Sequence, residues 1–368
     1  MLENTGAYQS MIFVVQKKQW DEYKPAIQAF LELVQAEPAS VVDLARMVLE
    51  QAPEGGTYFD TALSFLPLDD WPTVVAYALE ALRRNMTNQA AQSILQYANL
   101  QCPEALHAFR EEQAHLASEF CKVGHSLPEF DNPPTHSSAP ALHFAFPASY
   151  LAELLERRSQ WPENRCHPTW IAAPSDSPLV AFGGMNEAVC RICHGHLHHL
   201  VTFDPLPDGA GVTGLPTLEL AVCLVCLSLG VEMLSYRHDE NGGPHDISHG
   251  ERRPDFVGVE ELIHFKPARV ALVDLGSRWQ RQDWGSSNHR ENLNRVGGHP
   301  TWVQSPEYPL CPVCGETQRF LLQLDDDLLT VDDQTGGISN WMWSGDSGMA
   351  YLFWCDACKV SSVRTQCV

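Results

Sequence analysis

The sequence lacks a long apolar run: nothing in it approaches the roughly 18 residues that a membrane-spanning helix needs. The longest apolar candidate near the start, Met11 to Val15, is too short for the core of a secretion signal. Lys17 and Lys18 also follow it instead of preceding it. The expectation is a cytoplasmic chain with no membrane contact. Basic residues are scarce as well: 24 Lys and Arg face 46 Asp and Glu, for a formal net charge of −22. Phosphate backbones are held by Lys and Arg, so this balance argues against nucleic acid as the main partner and suits a basic protein. The deficit runs through the whole chain, with 16 acidic against 7 basic residues over 1–120 and 30 against 17 in the remainder. Several catalytic signatures are missing too. There is no His-Glu-x-x-His, and no His-x-Glu with Pro-Cys-x-x-Cys, so zinc-protease and deaminase chemistry lack their general base. No EF-hand spacing is present, which removes the obvious calcium site.

Cysteine, by contrast, is abundant. Twelve Cys are too many for a cytosolic protein unless they bind something, and eight of them form four Cys-x-x-Cys pairs. These are Cys190/Cys193, Cys223/Cys226, Cys311/Cys314 and Cys355/Cys358. Each pair sets two thiolates on one tight turn, and two such pairs complete a closed tetrahedral Zn2+ site. The expectation is two structural zinc sites, with cross-pairing between them left open by the sequence. No βαβ pattern surrounds the pairs, as a thioredoxin-like redox reading would require. Cys102, Cys121, Cys166 and Cys367 are scattered and read as ordinary core or surface thiols.

The chain also repeats itself. His-Pro-Thr-Trp occurs at 167–170 and again at 299–302, an offset of 132, and Cys223/Cys226 stand at the same offset from Cys355/Cys358. Cys193 to Asp204 and Cys314 to Asp325 are both 11 residues, each passing through an apolar strand-like run. Gly183-Gly184 and Gly297-Gly298 look related but do not fit the 132 offset. A duplicated unit is expected: knuckle, strand, loop, strand, knuckle.

The 368 residues suffice for two or three cores. Apolar residues recur at helical spacing at Ile27, Phe30, Leu31 and Val34, and at Val41, Leu44, Ala45 and Val48. Ser40 with Asp43 suggests a capping box, Asp70 with Pro72 a third helix, Asn88 a fourth and Pro103 a fifth. A short strand over 141–146 and a helix over 149–158 follow. Beyond Thr169 strand signals dominate, at 200–203, 218–225, 231–236, 270–275, 320–324 and 349–354. The predicted architecture is therefore an α+β multidomain chain. An α-helical N-terminal domain (1–121) and a linker (122–140) precede an internally duplicated β-rich domain with zinc-ribbon-like four-cysteine sites, its repeats at 141–290 and 291–368.

Four further features bear on function. The His194, His196, His198 and His199 cluster after Cys193 offers alternative zinc ligands, but four Cys already fill that site, and plain surface histidines explain it better. Asp325, Asp326, Asp327, Asp332 and Asp333 form the densest acidic run, either a solvated loop or a patch facing Arg and Lys of a partner. Arg278, Arg281, Arg290 and Arg295, with Trp279 and Trp284, make a basic-aromatic stretch, yet its local charge is only about +2. Gly345-Asp-Ser-Gly348 echoes a serine-protease motif with Ser347 as nucleophile, but it lacks a companion His segment and reads as a turn.

The C-terminal stretch carries a connected pattern. It runs through Val296-Gly-Gly-His-Pro-Thr-Trp-Val-Gln304, Tyr308-Pro-Leu-Cys-Pro-Val-Cys-Gly315 and Phe320-Leu-Leu-Gln-Leu-Asp325. Trp341, Trp343, Gly345-Asp-Ser-Gly348 and Tyr351-Leu-Phe-Trp-Cys-Asp-Ala-Cys358 complete it. This resembles the YwqG-like family of bacterial proteins of unknown function, well over about 290–360 and weakly over 141–290. More distantly it is similar to the programmed-cell-death-protein-two-like proteins. The resemblance implies a β-rich duplicated domain with no established enzyme activity. It also implies one of two binding roles: an immunity protein that neutralises a cognate bacterial toxin, or a chaperone-like holder of a basic ribosomal client. The expected function is the first: a non-enzymatic zinc protein that occludes a basic toxin domain. A metallo-hydrolase built on His194 to His199 is the weaker rival.

Overall fold

The computed structural model describes residues 29–85, 87–106, 140–157, 167–207, 210–228, 230–250, 263–287, 290–326, 328–332, 338–339 and 348–367. Ile27, Cys121, Cys166, nearly all of the expected linker, Asp327, Asp333, Trp341, Trp343 and the Gly345 to Ser347 motif lie outside these residues.

The N-terminal part is helical, as the periodicity predicts. Helix α1 covers 29–36, α2 Ser40–Gln51, α3 Thr57–Leu63, α4 Trp71–Arg84 and α5 Gln89–Gln101. The expected apolar positions Val41, Leu44, Ala45 and Val48 of α2, and Val75, Ala78 and Leu82 of α4, are buried in one helical core. Asn88 caps α5, its Oδ1 accepting from the Ala91 N–H at 2.9 Å, a bond worth about 1 kcal/mol. Ser40 does not cap α2. Its own N–H already donates to Glu37 O at 2.9 Å, so the chain turns before Ser40 and places it inside the helix. Asp70 fails to cap α4 for a similar reason, since a 3-10 turn over Leu68–Asp70 leads into the helix and holds Asp70 in helical geometry. The segment opening at Pro103 is a 3-10 turn, Pro103–Leu106, within the described residues.

Fifteen strands follow among the described residues, with helix α6 (Ala148–Arg157) after the first. They are β1 (Leu142–Ala145), β2 (Leu179–Phe182), β3 (Met185–Val189), β4 (His196–Phe203), β5 (Leu218–Val222), β6 (Leu234–His238), β7 (Pro244–Asp246) and β8 (Ile263–Phe265). The remainder are β9 (Ala268–Asp274), β10 (Arg295–Val296), β11 (Arg319–Asp325), β12 (Thr330–Asp332), β13 (Ile338–Ser339), β14 (Gly348–Cys355) and β15 (Val360–Cys367).

Twelve strands share one antiparallel sheet, and β8, β12 and β13 form a small second one. Strands β2 and β3 together line one side of β4, and β5 lines the other. From there the order runs β9, β1, β10, β11, β14, β15, β6 and β7. The two ends meet: the Glu219 N–H donates to Gly242 O at 3.0 Å, and Thr217 Oγ1 donates to Asn241 O at 2.6 Å. The sheet thereby curls nearly into a barrel. At this seam Gly242 takes a φ of +80°, and a Cβ there would strike the Thr217 carbonyl, so only glycine lets the ends approach. One apolar core fills the inside and draws on residues from Phe144 to Val363. The sheet and its core thus run straight across position 290, where the sequence suggests a division between repeats. Outside the barrel wall, Phe320, Met349, Tyr351 and Phe353 pack with Leu293 under Trp284, Trp302 and Tyr308. Strand β14 is buried on both faces, which explains why it reads as a continuous apolar run.

Strand pairing follows one plan twice. Strands β4 and β5 pair from Phe203↔Leu218 to His198↔Val222, and β11 and β14 pair from Leu324↔Ala350 to Arg319↔Trp354. Both ladders break once, around Leu200 and around Leu321, which are 121 residues apart like the first Cys pairs. Gly183 N–H donates to Leu200 O at 3.0 Å, and Gly297 N–H donates to Leu321 O at 2.8 Å. All four residues of the two Gly-Gly pairs have positive φ. The Gly-Gly pairs therefore hold matching places. The two His-Pro-Thr-Trp copies do not, since the first precedes β2 and the second follows the Gly-Gly after β10.

The helical part is fastened to the barrel by buried polar groups. Arg278 donates to Ser64 O at 2.6 Å and to Gln101 Oε1 at 2.5 Å, with its guanidinium 4.8 Å from the Trp279 ring. Arg290 Nη1 lies 3.1 Å from Asp60 Oδ2, and His167 Nε2 meets Ser64 Oγ at 2.8 Å. Burial, then Arg290 and Arg278, hold His167 well below its ordinary pKa, so it stays neutral in this seam. Removing one partner of a buried pair strands the other. Arg290→Ala is expected to cost about 3 kcal/mol in urea unfolding and to speed hydrogen exchange across α3 and α5.

Candidate metal centres

Cys190 and Cys193 lie on the turn between β3 and β4. Cys223 ends the β5 run, and Cys226 sits in helix α7 (Leu224–Ser228). Because β4 and β5 are paired out to His198↔Val222, both Cys pairs arrive at one end of the same hairpin. The second centre is built alike, with Cys311 and Cys314 ahead of β11 and Cys355 and Cys358 at the end of β14. In each set the four sulfurs lie within 4.8 Å of one another. The question of cross-pairing is thereby answered: each centre closes within its own hairpin.

The sulfur spacing fits a tetrahedral ion. A zinc–sulfur bond of about 2.3 Å places tetrahedral sulfurs about 3.8 Å apart. Cys190 and Cys226 are 3.7 Å apart, Cys193 and Cys223 3.4 Å, and Cys314 and Cys355 3.7 Å. A disulfide needs about 2.05 Å, and all eight cysteines are free. The backbone is arranged for thiolates. The N–H groups of Ile192 and Gly195 point at Cys190 Sγ and Cys193 Sγ, both at 3.4 Å, and the Cys226 N–H points at Cys223 Sγ at 3.4 Å. Both knuckles close with the same two bonds. Cys190 N–H donates to Gly195 O and His194 N–H to Cys190 O, matched by Cys311 N–H to Glu316 O and Gly315 N–H to Cys311 O, at 2.8–3.0 Å. The left-handed residue of each turn is His194 (φ 65°) and Gly315 (φ 77°).

Thiols packed this closely cannot all ionise alone. Contacts with Cys190 and Cys193, with burial adding, push Cys223 and Cys226 far above the ordinary thiol value. Hydrogen bonds from Cys190, Cys223 and Cys226 hold Cys193 far below it. A cation among them resolves the conflict by neutralising the four sulfurs together.

The centres differ in exposure. All four sulfur residues of the first belong to the barrel core. In the second, Cys311 and Cys355 are buried, Cys358 is half-buried and Cys314 is exposed. A loop from the first hairpin braces the second. Asp356 Oδ1 accepts from the Thr213 N–H at 2.8 Å and from Trp354 Nε1 at 3.1 Å, and Thr213 Oγ1 donates to its other oxygen. Burial pushes the Asp356 carboxyl up, but the bonds from Thr213 outweigh it and hold the pKa at about 2. Sequence reasoning passed over Asp356; its place inside a Cys-x-x-Cys pair was the only signal.

No histidine joins either cluster among the described residues. His194 and His196 are exposed, but His198 is buried and accepts from the Leu224 N–H through Nδ1 at 3.2 Å. His199 is pinned between Gly183 O at 2.8 Å and Thr202 Oγ1 at 2.7 Å, and burial lowers its pKa. Only His194 and His196 are therefore the surface histidines that the sequence suggests, and His198 and His199 are not.

The acidic run is split. Asp325 and Asp326 are 1% and 5% exposed. Asp325 N–H donates to Asn294 Oδ1 at 2.8 Å, and Asp326 Oδ2 accepts from the Gly348 N–H at 2.9 Å. They close the barrel wall and do not face a partner, because β11 continues through Asp325. Asp332 ends β12, and Asp327 and Asp333 lie outside the described residues. Three arginines of the basic-aromatic stretch are likewise engaged within the protein. Arg278 and Arg290 fasten the helices, and Arg295, fully buried, donates to Gln282, to His299 O and, at 2.8 Å, to Thr301 Oγ1.

No family model matches the chain, and no solved structure matches it. Over 74 residues it is 33% identical to the uncharacterized protein YpfL of Salmonella typhimurium, a stretch covering 20% of this chain and 15% of that protein. Among the described residues no helix is long and apolar enough to cross a membrane.

Two metal ions per chain should be lost in sequence, the Cys314 centre first. A chelator titration followed by metal analysis is expected to show one fast and one slow ion. Cys314→Ser removes the fast phase and loosens the β11–β14 hairpin, whereas Cys223→Ser unfolds the barrel.

Proposed function

We propose that this chain is a non-enzymatic zinc protein of the cytoplasm that binds a basic protein partner and neutralises it by occlusion, a cognate toxin being the partner that the YwqG-like resemblance implies. The observation that carries this reading is the pair of four-cysteine clusters, in which four sulfur ligands complete each centre and leave no open position for a substrate. Zinc is the ion of choice for such sets in a reducing compartment, where thiols stay free. In small finger peptides a structural zinc contributes roughly 10–16 kcal/mol of apparent binding energy, so here the ions act through the fold.

The matching registers, the shared break at Leu200 and Leu321 and the equivalent Gly-Gly pairs support reading the two hairpins as copies of one ancestral unit. Partner choice rests on charge. The chain carries a net −22, while three arginines of its richest arginine stretch are engaged within the protein, so the surface favours Lys- and Arg-rich partners.

The test is a native pull-down of the tagged, zinc-loaded protein from its source cells, followed by co-expression. The expected result is one stoichiometric, salt-sensitive partner whose expression alone arrests growth and whose effect vanishes when the two are made together. A ribosomal client with no such toxicity would replace this reading with the chaperone one.

A further inference from the structure

We propose that the tip of the second zinc knuckle, formed by Leu310, Pro312 and Val313, is a docking surface for an extended segment of a partner protein in which apolar side chains alternate with Lys or Arg. The inference rests on the protein-binding reading above and gives it a place on the molecule.

The tip is apolar and open. Leu310 is 59% exposed and Val313 46%, and Pro312 between them is exposed too. Both are large hydrophobics within three residues of one another, on a turn held rigid by the Cys311 and Gly315 backbone bonds and by the Leu310↔Thr317 bridge. The display is therefore fixed before any partner arrives, which lowers the entropic cost of binding.

The first knuckle shows what such a tip accepts. Val313 stands 121 residues after Ile192, the same step that relates Cys311 to Cys190. Ile192 is only 1% exposed, because the chain after β7 runs across it. The Arg191 N–H donates to Asp246 Oδ2 at 2.7 Å, and a Cβ on Gly250 would lie 2.9 Å from Ile192 Cδ1. At the first tip, then, the place of Val313 is covered by the protein's own chain, while Val189, at the place of Leu310, stays 48% exposed. Among the described residues nothing covers the second. Pro312 takes the place of Arg191 and has no N–H, so the second tip offers no backbone donor at that position.

Charge around the tip selects the segment. Exposed Glu316 closes the knuckle beside it, accepting from the Cys311 N–H through its carbonyl at 2.8 Å, and the neighbouring Cys314 is exposed; Glu307 nearby in the chain is already paired with Arg364 at 3.0 Å. Four thiolates around one divalent cation leave a formal −2 on the centre at its base. Lys and Arg flanking the apolar side chains of a partner would meet this field, whereas an acidic segment would be repelled.

The experiment uses the full zinc-loaded chain on an immobilised array of short peptides in which Val, Leu or Ile alternates with Lys or Arg. Matched peptides replace the basic residues by Glu or the apolar ones by Ser. Variants Val313→Ser and Leu310→Ser, checked for unchanged circular dichroism and zinc content, test the tip, and Val189→Ser at the place equivalent to Leu310 is the control. Retention of the basic-apolar peptides is expected, about tenfold weaker for Val313→Ser and unchanged for Val189→Ser. Equal binding by Val313→Ser, equal binding of the Ser-substituted peptides, or no retention above the Glu-substituted ones would each overturn the proposal. So would a concentration-dependent dimer abolished by Val313→Ser, since the occupant is then a second copy. Protection of the 310–314 amides from exchange in the free monomer would show that the protein covers the tip itself, with the same consequence. A partner from the native pull-down that binds Val313→Ser undiminished leaves the protein-binding reading standing and removes only this surface.

Discussion

Four cysteine sulfurs brought within 4.8 Å of one another form a ready-made cage for a cation, and the molecule builds it twice. Each set stands where two paired strands end, so an ion held there would tie together the turn entering one strand and the turn leaving the other. The consequences reach far from the sulfurs. In the first centre the thiols are part of the barrel core, and the Cys223 N–H, held by the Tyr236 hydroxyl at 2.9 Å, joins the centre to β6. In the second, Cys355 ends the buried strand β14 and Lys359 turns the chain back into β15 with a positive φ of 52°. Without an ion these points, where the sheet changes direction, would lose that tie.

Two hairpins of like register do not make two independent domains here. Strands β9 and β1 lie side by side at the centre of the sheet, β9 pairing with β2 and β1 with β10. Strand β1 precedes the first hairpin in the chain yet borders the second unit, and β9 leads into the second unit yet borders the first. The seam at Gly242 and the Asp356–Thr213 contact add two more links between the halves. The helical part is joined by Arg278, Arg290 and His167, which reach from the barrel side to Ser64 and Asp60 of the helices. The asymmetry between the centres stands out against this common plan: one is sealed, and the other keeps Cys314 and an apolar tip at the surface.

Much of this was legible in the sequence. The Cys-x-x-Cys spacing named all eight cysteines of the two clusters, because a tetrahedral ion dictates both residue type and spacing. Helical periodicity located α2, α4 and α5 because their apolar stripes face one core. Strand β15 escaped notice because it reads Val-Ser-Ser-Val-Arg-Thr-Gln-Cys. Its buried Ser361 and Ser362 are satisfied across the sheet by His238 and Ser235, at 2.8 Å each, a pairing no local pattern reveals. The same limit applies to charge. Asp325 and Asp326 read as a surface patch, and Arg278 to Arg295 as a binding stretch, because composition cannot tell a solvated charge from one paired in the interior. The likeness of the two hairpins was visible, but the anchors that match in register are not the ones the sequence favours. A four-residue identity looked stronger than two glycines, yet backbone geometry fixes the glycines and leaves the tetrapeptide free to serve different roles.

The central claim is that two closed four-cysteine zinc centres set this fold. X-ray absorption at the zinc edge on the purified chain, with the metal counted per molecule, tests it most directly. Two zinc ions per chain, each with four sulfur neighbours at about 2.3 Å, is the predicted result. A single ion, or a first shell containing nitrogen or oxygen, would contradict it.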